Sequence, residues 1–252
     1  MNITILLLTL SILIRVSIAS AQTTCREVFS SEKASAFYLT DRNLTPAEER
    51  ILSNLTFNRA GTFNRFGSLE GMDAEIFKFL TEEVGSSDAS ANETVALAIQ
   101  RIALEVTQQQ GAEAAWFTLR VTKPNQEFDI PRWHIDGQFF DSSEPTFKYA
   151  QTLKGPSTLL IEVPEAIRNQ LIEFSRQKNL TEQEKRTRIM HLLKPYTVVQ
   201  PGTSQGFYFS VGDLKTSAIH SEPPMRQDRI FFSIVAGTKK QIQSLSDRWG
   251  IK

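Results

Sequence analysis

The sequence has 252 residues, enough for one large domain or two small ones with a substantial core. Apolar residues make up 40% and charged residues 22%, a composition that excludes a disordered chain and is typical of a folded globular protein. Its 28 basic residues balance its 28 acidic ones, so bulk charge gives no indication of a nucleic-acid partner.

The first 21 residues have the features of a secretory signal peptide. An apolar-to-neutral run over 3–14 precedes small residues at 19–21. The run is too short to span a bilayer, so we expect a mature chain that begins near Gln22 and has no membrane span. The one cysteine, Cys25, allows no intrachain disulfide, and we expect a periplasmic or secreted protein. The alternative is a buried or amphipathic N-terminal helix.

Residues 22–112 are predicted to form an N-terminal helical buttress. The first helix begins with a capping box in which Thr45 precedes Pro46 and Glu48. Apolar residues at helical spacing indicate two more helices. The three predicted helices cover 45–54, 73–85 and 92–111. Between the first two, the near-copies at 57–61 and 63–67 are interpreted as successive turns.

From residue 113 the pattern changes to the alternation that is typical of strands. Strands are predicted at 116–121, 147–153, 157–163, 196–200, 206–211, 216–220 and 229–236. Two helices are inserted at about 164–194, the second with a capping box at Thr181. Residues 241–252 form a terminal helix or a frayed tail. Helices first and strands later predict an α+β fold, with a double-stranded β-helix (jelly roll) core over 113–252.

One short motif carries the functional prediction. His134 and Asp136 are two residues apart, so on an extended backbone their side chains project to the same face. His220 follows much later, and Arg229 comes nine positions after it. Two imidazoles and one carboxylate on one side of a metal form the facial triad of non-haem Fe(II) oxygenases, with open positions on the other side.

In order and spacing, this pattern resembles the iron/2-oxoglutarate-dependent dioxygenase superfamily over roughly 113–240. The resemblance implies Fe(II) held by His134, Asp136 and His220. It also implies that 2-oxoglutarate takes two of the open positions and O2 the third. Arg229 would bind the far carboxylate of the co-substrate through its guanidinium fork. The expected activity is hydroxylation of an organic or protein substrate that the sequence does not identify.

Four further residues are candidates for contacts with the co-substrate, and each of them has an alternative interpretation. Arg226 is a rival for the anchoring role. Lys148 lies 12 residues after Asp136, near the place where a subset of the family has a carboxylate-binding lysine, and its alternative is an exposed strand position. Tyr149 and Thr158 are candidate hydroxyl donors to the co-substrate, or else residues that pack or face solvent.

The alternation of residues along the strand that begins at Arg229 predicts which side chains face the interior of the jelly roll. Arg229 would share the inner face with Phe231 and Ser233, whereas the residues between them, Ile230 and Phe232, would face an outer packing layer. Many family members have serine or threonine where this chain has Phe231. The alternative for the buried arginine is a structural salt bridge with Asp213 or Glu222.

Three aromatic residues flank the motif and are predicted to line a substrate pocket, with core packing as the alternative: Trp133, Phe139 and Phe140. The remaining histidine, His191, is interpreted as a hydrogen-bonded structural residue of the second inserted helix. The runner-up function is a non-catalytic or other-metal, cupin-like jelly-roll binding protein. Export favours it, because 2-oxoglutarate is an intracellular metabolite.

Overall fold

A computed structural model of the chain describes residues 36–140 and 146–249. The predicted signal peptide and Cys25 lie outside the described residues. Within these ranges, no helix combines the length and the apolar character that crossing a membrane requires.

The described residues form nine strands and six helices. The strands are β1 (Phe37–Arg42), β2 (Gly61–Gly67), β3 (Ala114–Thr122), β4 (Thr146–Lys154), β5 (Leu159–Ile161), β6 (Val198–Val199), β7 (Gln205–Val211), β8 (Ile219–Ser221) and β9 (Arg229–Gly237). The helices are α1 (Pro46–Asn54), α2 (Met72–Lys78, continued by a π-helical segment over Phe79–Glu83), α3 (Ala89–Gln109), α4 (Glu165–Arg176), α5 (Glu182–Leu193) and α6 (Lys239–Trp249).

The strands form two antiparallel sheets. The large sheet has the order β1-β7-β4-β9-β3-β2, and the small sheet has the order β6-β5-β8. Leu160 of the small sheet is fully buried in one apolar cluster with Ala150, Phe207 and Val235 of the large sheet. The two sheets therefore face each other, and the predicted α+β fold with a double-stranded β-helix core is confirmed.

The outer face of the large sheet is covered by helices α1 to α3. Helix α1 begins with the predicted capping box, in which Thr45 and Glu48 satisfy each other's backbone amide. Helix α3 buries the stripe that includes Ile99 and Ile102 against this face. Phe232 of β9 belongs to the same cluster and has no exposed surface. This helical layer closes the sheet on the side away from the small sheet.

The two predicted inserted helices pack on the outside of the small sheet. Helix α5 begins with the predicted capping box at Thr181. Leu171 of α4 and Ile189 of α5 share an apolar cluster with Ile161 and Ile219 of the small sheet. The insertion thus supports the sheet that contains the second histidine of the motif.

The segment predicted as a helical buttress also contributes both edge strands of the large sheet, β1 and β2. The prediction of turns at 63–67 is wrong, because β2 pairs along its whole length with β3. Phe63 faces the helices, whereas Phe66 stacks on Trp116 of the other face with ring centroids 5.4 Å apart. Glycine is needed at the start of the strand, since a Cβ on Gly61 would lie 2.7 Å from a methyl carbon of Val84.

Candidate metal centre

The two histidines of the motif lie directly opposite each other on neighbouring extended segments. The His134 amide donates to the His220 carbonyl at 2.9 Å, and the His220 amide donates back at 3.0 Å. Such a pair brings both side chains to the same face of the backbone. The two imidazole centroids are 4.3 Å apart.

Asp136 completes the cluster. Its Oδ1 lies 3.5 Å from the Nε2 atoms of both His134 and His220. The three potential ligand atoms all lie within 4.8 Å of one another. The segment is held in place by the Gly212 amide, which donates to the Asp136 carbonyl at 3.1 Å. The predicted convergence of these three side chains in one place is observed.

The ring nitrogens of both histidines are oriented by backbone carbonyls. Nδ1 of His134 donates to the Arg132 carbonyl at 2.7 Å, and Nδ1 of His220 donates to the Ala218 carbonyl at 3.3 Å. These contacts place the proton on Nδ1 and leave the Nε2 lone pairs directed at the carboxylate. Burial lowers the pKa of the His220 imidazole, which favours the neutral form that binds a metal.

The carboxylate is charged. Burial by itself would raise the pKa of Asp136, but the Lys148 ammonium holds that pKa far below its usual range. Two neutral nitrogen ligands and one anionic oxygen ligand on a single side are the donor set expected for Fe(II) with open positions opposite. The residues present therefore fit a divalent ion of that kind.

Lys148 lies in the site and not in solvent. Its Nζ donates to Oδ2 of Asp136 at 2.8 Å, and its side chain is 19% exposed. The ammonium also lies over the rings of Phe139 and Phe209, at 5.7 and 5.6 Å from their centroids. The alternative of an exposed strand lysine is wrong, since β4 directs this position between the two sheets.

Arg229 is buried between the sheets and is bound by neutral groups. Its Nε donates to the Pro156 carbonyl at 2.9 Å, and its Nη2 donates to the hydroxyls of Thr152 and Thr158 at 3.3 and 3.1 Å. Its guanidinium carbon lies 4.3 Å from the centroid of the Phe231 ring. Only 4% of the residue is exposed. Thr158 thus contacts the predicted anchor Arg229, and its own contact with the co-substrate stays a prediction.

In residues 36–140 and 146–249, no carboxylate lies within 4.0 Å of the Arg229 guanidinium. The two alternatives considered from the sequence are bound elsewhere: Glu222 pairs with Arg132 at 2.6 Å, and Asp213 accepts from the hydroxyl of Thr216. Burial lowers the pKa of Arg229 to about 9, although the charge of Glu222 opposes this effect. A buried guanidinium without a bound carboxylate is a favourable place for an anion.

Two other predicted residues, Arg226 and Tyr149, lie away from this interior. Arg226 is 67% exposed in its side chain and pairs with Asp129. Tyr149 faces the helices, because it alternates with Lys148 along β4, and its hydroxyl contacts Asn43 and Gln151. Its predicted role as a hydroxyl donor to the co-substrate is therefore wrong.

The aromatic residues divide between two places. Trp133 packs against the inserted helices on the outside of the small sheet, so its predicted place in a substrate pocket is wrong. Phe139 and Phe140 lie between the sheets, where Phe139 contacts the ring of Trp116 and the ammonium of Lys148. Of the three, Phe139 is the one that contacts Lys148, the lysine that binds Asp136. His191 is exposed on α5.

One ion pair of the site, Arg132 with Glu222, was not predicted from the sequence. It is the cross-strand pair next to the two histidines. Because His134 lies opposite His220, Arg132 lies opposite Glu222 on the same face. The side chain of Arg132 is 44% exposed and that of Glu222 is 20% exposed, so the pair forms one rim of the site. The signal was present in the sequence, since both residues are two positions from a histidine.

Comparisons with known proteins find likeness in structure and not in sequence. No protein-family model matches the chain, and no curated protein matches it. Among solved structures, a Pseudomonas putida prolyl-4-hydroxylase aligns with 83% of this chain and 97% of its own, at 11% identity and a TM-score of 0.37. A rice dioxygenase for auxin oxidation aligns with 80% of this chain and 73% of its own, at 10% identity and a TM-score of 0.40.

A third solved structure is a non-haem α-ketoglutarate-dependent carbocyclase from nogalamycin biosynthesis. It covers 85% of this chain and 84% of its own, at 10% identity and a TM-score of 0.38. Likenesses this distant assign no function by themselves, so the function follows from the residues of the site.

Proposed function

We propose that the protein is an Fe(II)/2-oxoglutarate-dependent oxygenase that hydroxylates an organic substrate. The reaction converts substrate, 2-oxoglutarate and O2 into hydroxylated substrate, succinate and CO2. The observation that carries the proposal is the pairing of two features in one interior. One is the cluster of two imidazoles and a carboxylate, and the other is a buried arginine whose guanidinium has no carboxylate of the described residues within 4.0 Å.

His134, Asp136 and His220 would hold the iron. The two imidazoles offer Nε2, because their Nδ1 atoms are bound to carbonyls, and the carboxylate offers Oδ1. Since all three ligand atoms belong to the ends of two neighbouring extended segments, the positions opposite them are left for other groups. When bound, Fe(II) and 2-oxoglutarate supply the activation of O2, coupled to oxidative decarboxylation.

Arg229 would bind the distal carboxylate of 2-oxoglutarate. Its Nε donates to the Pro156 carbonyl and its Nη2 donates to the hydroxyls of the two threonines, which fixes the orientation of the guanidinium plane. The guanidinium carbon also lies over the Phe231 ring, 4.3 Å from its centroid, in a cation–π contact. A carboxylate bound at this guanidinium balances a charge that burial otherwise makes costly.

The direct test is co-substrate turnover by protein purified without a histidine tag. Protein reconstituted with Fe(II) under argon and then exposed to O2 should convert 2-oxoglutarate to succinate, and His134→Ala should abolish the conversion. A protein that binds Fe(II) through the three residues but never consumes 2-oxoglutarate would contradict the proposal.

The second candidate is a cupin-like binding protein that holds another divalent ion. The signal-like residues 1–21 favour it, since an exported protein meets little 2-oxoglutarate. Metal analysis of protein isolated from its native compartment separates the two candidates. Iron supports the oxygenase, whereas stoichiometric zinc or manganese without co-substrate turnover supports the binding protein.

Export itself is part of the proposal. The apolar run at 3–14 and the small residues at 19–21 support cleavage before Gln22. The intact mass of protein recovered from the periplasm or the medium should correspond to a chain that begins near Gln22. Recovery of full-length protein from the cytosol would contradict export and remove the main support for the second candidate.

A further inference from the structure

The two oxygens of the Asp136 carboxylate have different partners. Oδ1 lies 3.5 Å from both imidazole Nε2 atoms. Oδ2 accepts a hydrogen bond from the Lys148 ammonium at 2.8 Å. The carboxylate is thus divided between an oxygen that faces the imidazoles and an oxygen that faces a fixed cation.

Lys148 is held where it lies. It belongs to β4, which pairs with β7 on one side and with β9 on the other, so its backbone is fixed in the middle of the large sheet. Its side chain extends between the rings of Phe139 and Phe209. A lysine with this support has little freedom to leave the carboxylate.

The division matters for the proposed reaction, which needs three open positions on a six-coordinate ion. A carboxylate can bind a metal through one oxygen or through both. With both, Asp136 and the two histidines would occupy four positions and leave two. The co-substrate takes two positions and O2 needs one, so a chelating Asp136 would leave no place for O2.

We infer that Lys148 is a positioning residue that occupies Oδ2 of Asp136 and so restricts the carboxylate to one metal bond through Oδ1. The inference rests on the proposed oxygenase function for its consequence, but the contact itself does not depend on that function. Lys148 acts through Asp136 and touches neither the substrate nor the co-substrate in this role.

Lys148→Met is the decisive substitution, because methionine keeps an unbranched side chain but has neither the charge nor the donor. Two effects act on metal affinity in the same direction. A nearby positive charge that repels a divalent ion is removed, and Oδ2 becomes free to bind. Co(II) should therefore bind on the order of tenfold more tightly than in the wild type, a change of the size that contacts to ligating residues produce.

The same variant should be a poorer oxygenase. X-ray absorption of the Co(II) protein should show one additional oxygen ligand, and turnover of 2-oxoglutarate should fall about tenfold or more. Lys148→Arg keeps a cation that can bind Oδ2 and should restore the wild-type coordination number. Lys154→Met is the matched control, because Lys154 is on the same strand but binds the Ser53 carbonyl far from Asp136. It should leave Co(II) affinity unchanged.

An unchanged coordination number of Co(II) in a folded Lys148→Met protein would overturn the inference, since loss of the lysine charge alone raises metal affinity but adds no ligand. The outcomes for the two proposals are separable. An additional oxygen ligand on Co(II) in the variant, together with a wild type that never consumes 2-oxoglutarate, would support the role of Lys148 and contradict the oxygenase. Turnover by the wild type with no additional ligand in the variant would support the oxygenase and contradict the role of Lys148.

Discussion

The large sheet has two faces of opposite character. Its outer face, covered by helices α1 to α3, carries residues such as Tyr149 and Phe232, which are fully or almost fully buried. Its inner face carries Lys148 and Arg229, which alternate with these residues on the same two strands. One face of β4 and β9 is thus fully packed against helices, whereas the other directs the charged side chains of Lys148 and Arg229 into the interior between the sheets.

The polar groups of the two faces differ in how they are satisfied. On the outer face, Tyr149 shares a complete network with Asn43 and Gln151. On the inner face, Lys148 is neutralised by Asp136, but Arg229 contacts only neutral oxygens and an aromatic ring in the described parts of the chain. We therefore expect outer-face substitutions to change stability and inner-face substitutions to change binding.

The largest effect is expected from an outer-face aromatic residue. Phe232 has no exposed surface and stacks on Phe117 with centroids 5.7 Å apart. Phe232→Ala should lower the free energy of unfolding by about 3–5 kcal/mol, as cavities left by buried aromatic rings do. Urea denaturation measures this loss. A changed Co(II) affinity in the folded variant would break the contrast between the faces.

Loss of a metal ligand is expected to come next. His134→Ala should weaken Co(II) binding on the order of a hundredfold or more, since even contacts to ligands are worth 10–100-fold. The unfolding midpoint of the metal-free protein should stay nearly unchanged. His191→Ala is the matched control, because this histidine is exposed on α5 and should leave Co(II) binding as it is. Equal losses in both variants would point to a nonspecific site.

Arg229→Ala sharpens the contrast within the inner face. The loss of a charge-assisted contact should cost about 1.5–3 kcal/mol, which corresponds to roughly a tenfold to hundredfold weaker binding of 2-oxoglutarate. Co(II) binding should remain nearly intact, and calorimetric titration with each ligand measures both. Arg226→Ala is the control, since Arg226 is exposed and pairs with Asp129. Weaker 2-oxoglutarate binding in Arg226→Ala but not in Arg229→Ala would show that Arg226, and not Arg229, binds the distal carboxylate.

The smallest effect is expected from Tyr149→Phe. The hydroxyl is lost from the outer-face network, but Asn43 and Gln151 keep their contacts with each other. The free energy of unfolding should fall by about 0.5–1.5 kcal/mol, the usual value of one hydrogen bond. The concentration of 2-oxoglutarate that gives half-maximal turnover should not change. If it rose, Tyr149 would reach the interior after all.

Local chemistry in the sequence determined much of what is observed. The capping boxes at Thr45 and Thr181 begin helices because they depend on side chains within four residues. His134 and Asp136 share a face because alternation is a property of any extended backbone. The same alternation correctly placed Arg229 on the inner face of the large sheet and Phe232 on its outer face. The apolar residues on one side of a strand indicate the face that packs against the helices.

Tertiary structure alone decided which residues meet. Strand β2 has polar residues between its phenylalanines, and it exists because β3 offers a partner 48 to 60 positions away in sequence. Lys148 and Tyr149 are adjacent, and nothing local shows which of them faces the ligands until β4 pairs with β7 and β9. Pairing register is a long-range property, and a shift of one residue would have exchanged a metal-site lysine for a core tyrosine.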